Sequence, residues 1–447
     1  MPTHSASSTP VRHNQPRALS VTPEGSPKLS PISASLPRQF DQRVSAGPLI
    51  YALESGDTER AKELIRKNIG LYSLDEDLAT CEMIAVQRNN LECLELLLER
   101  SINNINATDL YGWTSLMYAC YYGYSEITKR LLLAGAQADL SDNDHMSALV
   151  WASGRGHTEC VTHLLQLGHA KVNQVDKCGT SPLVWACRKG FTDVAAALLK
   201  AGANIDCTGM FGWSALLVAV LGNHIETLRL LLQHKPNVNT CDVQRHTPLI
   251  AASKEGRVEI VKLLLKARAF VNLSDEYGNT ALTHAAKGDH VEIVDILIKH
   301  HANIDHVGVD RKSALFWAVE KGNQAVVERL LHSRPNLELT TRDGETCLIK
   351  AVKMRRANIV QLLLAHHARV TATDKNGDTI LHIAVKMRSA QIIQIILTNP
   401  KNHILLNKQN KDKKTPMMLD SSNGQSLRDI IFALSSQKHI ASSNFDA

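Results

Sequence analysis

The sequence predicts an all-α fold: a solenoid of about twelve helix–turn–helix units carrying β-turn fingers. Three observations support it. The leucine of a T/S-x-L motif falls at Leu116, Leu149, Leu183, Leu216, Leu249, Leu282, Leu315, Leu348 and Leu381, in steps of 33 residues with one step of 34. An alanine stands three residues after each, from Ala119 and Ala152 to Ala384. A second apolar run follows about fifteen residues after the leucine, as in RLLLAGA, ALLKAGA and KLLLKAR. A unit of this length cannot bury its apolar face alone, and stacking on neighbours buries it.

Taken in order, residues 1–45 come first. They hold half of the chain's 14 prolines and nine serines with almost no apolar period. Such a stretch cannot offset its ordering entropy, so a disordered leader is expected. Thr9, Thr22, Ser26 and Ser30 each precede a proline, and Ser20 lies three residues after Arg17. These five are candidate regulatory phosphorylation sites.

The array is expected over 46–435. Its ends are weak, at 46–78 (with GPLIYALESGDTERAKELI at 47–65) and 411–435 (with KTPMMLDSSNGQSLRDIIFALS at 414–435). In the second unit Glu82 occupies the leucine position. Within each unit a turn such as DLYG, DKCG or DEYG precedes a Thr or Ser that caps the first helix. Pro182 and Pro248 sit at its first turn, where a missing N–H costs nothing. The alanine keeps that helix thin, and Gly135 and Gly202 suit the left-handed turn closing the second helix. Residues 436–447 are a polar tail.

Composition bounds the function. The 447 residues carry a formal charge of +6, which is mild and names no partner. The nine cysteines are odd in number and never spaced CxxC, which argues for a reducing compartment over a disulfide framework or zinc module. The N-terminus lacks the apolar core of a signal peptide, and no stretch of about 18 apolar residues occurs. A soluble cytoplasmic chain is expected. GxxxxGK[ST], HExxH and GxSxG are all absent, so a non-enzyme with no cofactor is expected. The doublets His300/His301 and His366/His367 fall two units apart, too far to share one ion, and no metal is expected.

Candidate partner-binding residues are those the period leaves free. Three residues before the leucine lie the fingers, with Trp113 and Trp213 beside Tyr111 and Phe211. Packing there has no evident need for bulk, so exposed aromatic anchors are expected. Five and six residues after the leucine, Tyr121, Tyr122, Arg155, Arg188 and Lys189 face the groove. Trp151, Trp185 and Trp317 lie two after it, each expected beneath cations three or four residues later on its own helix, as Trp185 under Arg188 and Lys189. A basic second half is expected through Lys353, Arg355, Arg356, Lys386 and Arg388.

The turn–TPLH–AA–LLLxxGA pattern resembles ankyrin repeats over about 46–435. His382, in TILH, matches the family's turn-bracing histidine. The strings GHTECVTHLL, GTSPLVWACRKG, SALFWAVEKGN and DGETCLIKAVKMRRANIVQLLL are similar to the N-terminal array of the ankyrin-repeat-rich membrane-spanning scaffold, or kinase D-interacting substrate, family. That resemblance implies a scaffold for receptor signalling at the cytosolic face of the plasma membrane, with signalling receptors, adaptors or kinase-pathway components as partners. The family's P-loop and membrane-spanning region has no counterpart in these 447 residues. The expected function is thus non-enzymatic protein docking. The alternatives are a nucleotide- or nucleic-acid-binding module, with an indole stacked on a base, and an adaptor in transcription or protein degradation.

Overall fold

The computed structural model describes residues 47–100, 104–209, 211–420 and 427–432. The five leader sites Thr9, Ser20, Thr22, Ser26 and Ser30 and the tail at 436–447 lie outside them. The described chain is an all-α solenoid of eleven helix pairs, from Pro48–Ser55 with Thr58–Arg66 to Ile380–Lys386 with Ala390–Thr398. A 3-10 helix, Pro400–Asn407, a four-residue helix, Pro416–Leu419, and a helical stretch at 427–432 follow. The twelfth unit is thus reduced.

First helices of seven or eight residues pack on one another in one row, and second helices of nine in another. Thus Ser115–Tyr122 touches Ala148–Arg155, which touches Pro182–Lys189. The motif leucines and their alanines are all buried between the rows. The small alanine lets successive helices approach, and stacking buries what a lone unit would expose.

Local chemistry sets each start. Thr114, Ser147, Ser181, Ser214, Thr247, Thr280, Ser313 and Thr346 each accept the backbone N–H three residues on. Each such cap contributes about 1 kcal/mol. His382 acts as expected: its Nδ1 accepts from the Thr379 backbone N–H at 3.2 Å, and its Nε2 lies 3.0 Å from the Lys414 carbonyl.

The fingers are turns held by a carboxylate. Asp109 Oδ1 accepts from the N–H groups of Tyr111 and Trp113 at 2.9 and 2.8 Å, and Asp142, Asp176, Asp242, Asp275 and Asp374 repeat the pattern. Tips also link along the stack, as where Val309 N–H meets the Tyr277 carbonyl at 2.8 Å. Sheet structure among the described residues is limited to isolated antiparallel bridges such as Ser141–Ser147. No described helix is long and apolar enough to cross a membrane.

Candidate interaction surface

The finger aspartate uses its second oxygen to hold the side chain nine residues on. Asp109 Oδ2 takes the Tyr118 hydroxyl at 2.6 Å, Asp142 the Trp151 indole N–H at 3.0 Å, and Asp176 that of Trp185 at 2.9 Å. Asp275 Oδ2 lies 2.8 Å from His284 Nε2. This explains two of the three recurring tryptophans, Trp151 and Trp185: a ring that fills the space between finger and helix while donating to a buried carboxylate. Trp317 has Gly308 at the aspartate position. The Asp-to-donor spacing of nine is a signal the motif reading did not use.

The expectation of an exposed Trp113 is corrected. The residue is only 6% exposed, with its ring 4.9 Å from Tyr118, 5.3 Å from Tyr121 and 4.7 Å from Trp151. It stands just before the Thr114 cap, and its contact with Tyr118, four residues into the helix, is a hydrophobic staple. Trp213 occupies the same place in its unit but is only half-buried. The exposed aromatic tips are Tyr111 at 56%, Phe211 at 49% and, unforeseen, Tyr277 at 59%. Tyr122 is also exposed and Tyr121 half-buried.

Cations reach the rings, though not always from the expected helix. The Arg188 guanidinium lies 5.6 Å from the Trp185 ring and 5.4 Å from Trp213, bridging two successive units. Burial pulls its proton affinity below the ordinary arginine value. Arg155, expected over Trp151, instead covers Tyr121 at 4.3 Å, because Trp151 is turned in toward Asp142. Trp317 is covered by Lys287 at 4.5 Å and Lys312 at 4.2 Å, from the preceding first helix and its own finger, rather than by Lys321. Lys189 is exposed. Among the described residues no carboxylate lies within 4 Å of Arg155, Arg188 or Lys189, so this cationic patch is unpaired.

The basic second half is corrected in part. Lys353 pairs with Glu345 at 2.7 Å and Asp374 at 2.9 Å, and Lys386 with Asp378. Glu320 holds both Lys312 at 2.9 Å and Lys350 at 2.7 Å. Arg355 and Arg356 donate to the carbonyls of Met387 and Lys321 in neighbouring units. Finger and helix positions eight residues apart carry opposite charges there, so the lysines of the basic stripe are internally neutralised, while Arg355, Arg356 and Arg388 make no ion pair among the described residues.

Short stacked helices presenting fingers and one helix face, with their apolar residues consumed by stacking, define a repeat-built binding module. The chain belongs to the ankyrin-repeat family: the profile described as "Ankyrin repeats (3 copies)" matches residues 49–142, 116–209, 198–275, 267–341 and 332–404. Over 113 residues it is 32% identical to the Ankyrin repeat and SAM domain-containing protein 6 of Mus musculus, covering 25% of this chain and 13% of that one. Over 129 residues it is 31% identical to the Probable E3 ubiquitin-protein ligase XBOS32 of Oryza sativa subsp. japonica, covering 28% and 26%. Over 93 residues it is 32% identical to the Protein phosphatase 1 regulatory subunit 27 of Homo sapiens, covering 21% and 60%. Each match spans less than two thirds of the relative. The human ASB11 ankyrin repeat domain aligns over 49% of this chain and 97% of its own, at 31% identity and a TM-score of 0.45. The ankyrin fold is a non-catalytic module for protein–protein interaction.

Proposed function

We propose that the array is a docking scaffold whose partners lay acidic, apolar-flanked segments across the first-helix row between Tyr111 and Trp213. The observation that carries this is Arg188: a half-buried guanidinium held between two indoles, with no carboxylate of its own. Arginine in such a setting is preorganised for bidentate contact with an incoming carboxylate. Arg155 and Lys189 extend the cationic patch, Tyr121, Tyr122 and Phe211 supply apolar contact, and Trp113 supports Tyr121 from beneath. Trp185 orients Arg188 while Asp176 fixes its indole.

The likeness to the membrane-spanning scaffold family favours receptor-signalling components as partners, gathered at the cytosolic face of the plasma membrane. In this reading 46–435 is the docking array, and the 1–45 leader tunes it through phosphorylation at Thr9, Ser20, Thr22, Ser26 or Ser30.

The test is fluorescence anisotropy with two labelled peptides that share phenylalanines and differ in bearing glutamates or lysines. The glutamate peptide should bind, and Arg188→Gln should weaken it at least tenfold while leaving the thermal midpoint within about 2 °C, because the half-buried guanidinium has no carboxylate partner to strand. Equal binding of both peptides, or an unaffected R188Q, overturns the reading. A labelled oligonucleotide serves as the third probe, because phosphate contacts would show a much steeper loss of affinity with salt.

A further inference from the structure

One place in the stack departs from the finger pattern in a way that brings metal-ligating atoms together. In the finger before helix Pro248–Lys254, Asp242 Oδ1 accepts the N–H groups of Gln244 and His246, while Oδ2 lies 3.2 Å from His246 Nδ1. In the next unit Asp275, its side chain 1% exposed, has Oδ2 at 2.8 Å from His284 Nε2 and 4.0 Å from His246 Nε2. A ligand atom from each of His246, Asp275 and His284 lies within 4.8 Å of the other two.

The ordinary pattern accounts for only part of this. In other fingers the carboxylate takes an indole N–H, which has no lone pair to offer a metal, the Tyr118 hydroxyl, or, at Asp374, the Lys353 ammonium. Here the donor nine residues on is an imidazole. The residue before the next-lower cap, which is Trp113, Met146, Thr180 or Trp213 in earlier units, is a second imidazole. With its Nδ1 turned to Asp242, His246 directs Nε2 toward the Asp275 carboxylate. Two ligating atoms then face each other in a site where the His246 side chain is 16% exposed. A cation between them would be held by both.

We propose that His246 Nε2, His284 Nε2 and Asp275 Oδ2 form a binding site for a divalent transition-metal ion of the zinc class, bridging two adjacent repeats. Tetrahedral zinc with ligands about 2.0–2.1 Å away places its ligand atoms about 3.3 Å apart. The 2.8 and 4.0 Å separations bracket that value, and the three ligand atoms all lie within 4.8 Å of one another. Asp242 acts from behind as the carboxylate that orients a ligating histidine and sets its tautomer. Asp275 and Asp242 together balance the ion's two charges. His284 ligates once its proton shifts from Nε2 to Nδ1. Two nitrogens and one carboxylate favour zinc or cobalt over magnesium or calcium, which take oxygen ligands. Three protein ligands leave a fourth position open.

The experiment titrates the chelator-stripped full chain with Co²⁺, read by the visible absorption of tetrahedral cobalt, and with Zn²⁺, read by the thermal midpoint. One equivalent should bind saturably, and zinc should raise the midpoint. His246→Gln should weaken binding at least 100-fold and abolish the zinc-dependent rise, and Asp242→Asn should weaken binding about 10- to 100-fold. Without metal, H246Q should melt close to wild type, which separates a lost ligand from a lost fold. Absence of saturable tetrahedral absorption in the wild type overturns the proposal. So does unchanged binding in H246Q, which would place the ion at other histidines such as His300/His301.

Discussion

At the scale of single residues, Asp142 is bound from three sides. Its Oδ1 accepts the N–H groups of Asp144 and Met146, and its Oδ2 the indole of the buried Trp151. Asp142→Ala should cost about 2–3 kcal/mol in urea unfolding, because it strands a buried indole N–H and frees the turn. Trp151→Phe removes the donor as well, so the double mutant should cost clearly less than the sum, a cycle that isolates the bond. A sum that is simply additive would mean the indole bond contributes nothing. This level was the least legible from sequence. Counting from the leucine places Trp113 on a finger, but not whether the ring points out or folds back. The staple to Tyr118 decides that, and it depends on where the cap falls. The nine-residue Asp–donor spacing was visible in the string and would have marked Trp151 and Trp185 as structural donors.

Between elements, the second helices are tied to the preceding unit by their first flanking residue. His157 Nε2 lies 3.1 Å from the Tyr121 carbonyl, His224 Nε2 3.2 Å from that of Arg188, and His290 Nε2 3.2 Å from that of Lys254. Asn323 does the same toward Ala286 at 2.8 Å. The ring needs room over the end of the first helix, and Gly190 provides it: a Cβ there would stand 2.4 Å from His224 Nδ1, on a backbone with φ +78°. Gly135, at φ +93°, has open space around its missing Cβ. Gly135→Ala should therefore cost only left-handed strain, about 1 kcal/mol, and Gly190→Ala at least about 2. Equal costs from chemical denaturation would show that the His224 tie is dispensable. Helix starts, their Thr/Ser caps and the leucine–alanine core were all readable from the period, because they are local and repeat. The histidine ties were not, because they join residues 36 positions apart.

Across the whole array, the two halves should respond oppositely to acid. In the later units Glu320 has a carboxyl that burial would raise, yet hydrogen bonds from Lys350 and Lys312 leave it below its ordinary value of 4.5. Asp374 is likewise held below 3.8 against burial by Lys353 and by the N–H groups of Asn376 and Asp378. A carboxyl depressed by folding lends stability above its unfolded value and loses it as pH falls through the folded one. In the earlier units Asp142 and Asp75 are raised, chiefly by burial, so protonation on the acid side favours their folded state. The eight-residue pairs Lys312/Glu320, Glu345/Lys353 and Asp378/Lys386 were legible as alternating charges, but that finger and helix positions meet side by side was not. In a solenoid each unit's stability rests on its neighbours, so a weakened end can open separately. Hydrogen exchange on lowering the pH from 6.5 to 3.5 should then show protection lost first over 313–398, with 114–200 holding longer. Glu320→Gln should already weaken the later units at neutral pH by about 1–2 kcal/mol, with the difference from wild type vanishing as Glu320 protonates. Loss beginning in the earlier units, or uniformly along the chain, would mean that the ion-pair ladder does not set the acid limit of the stack.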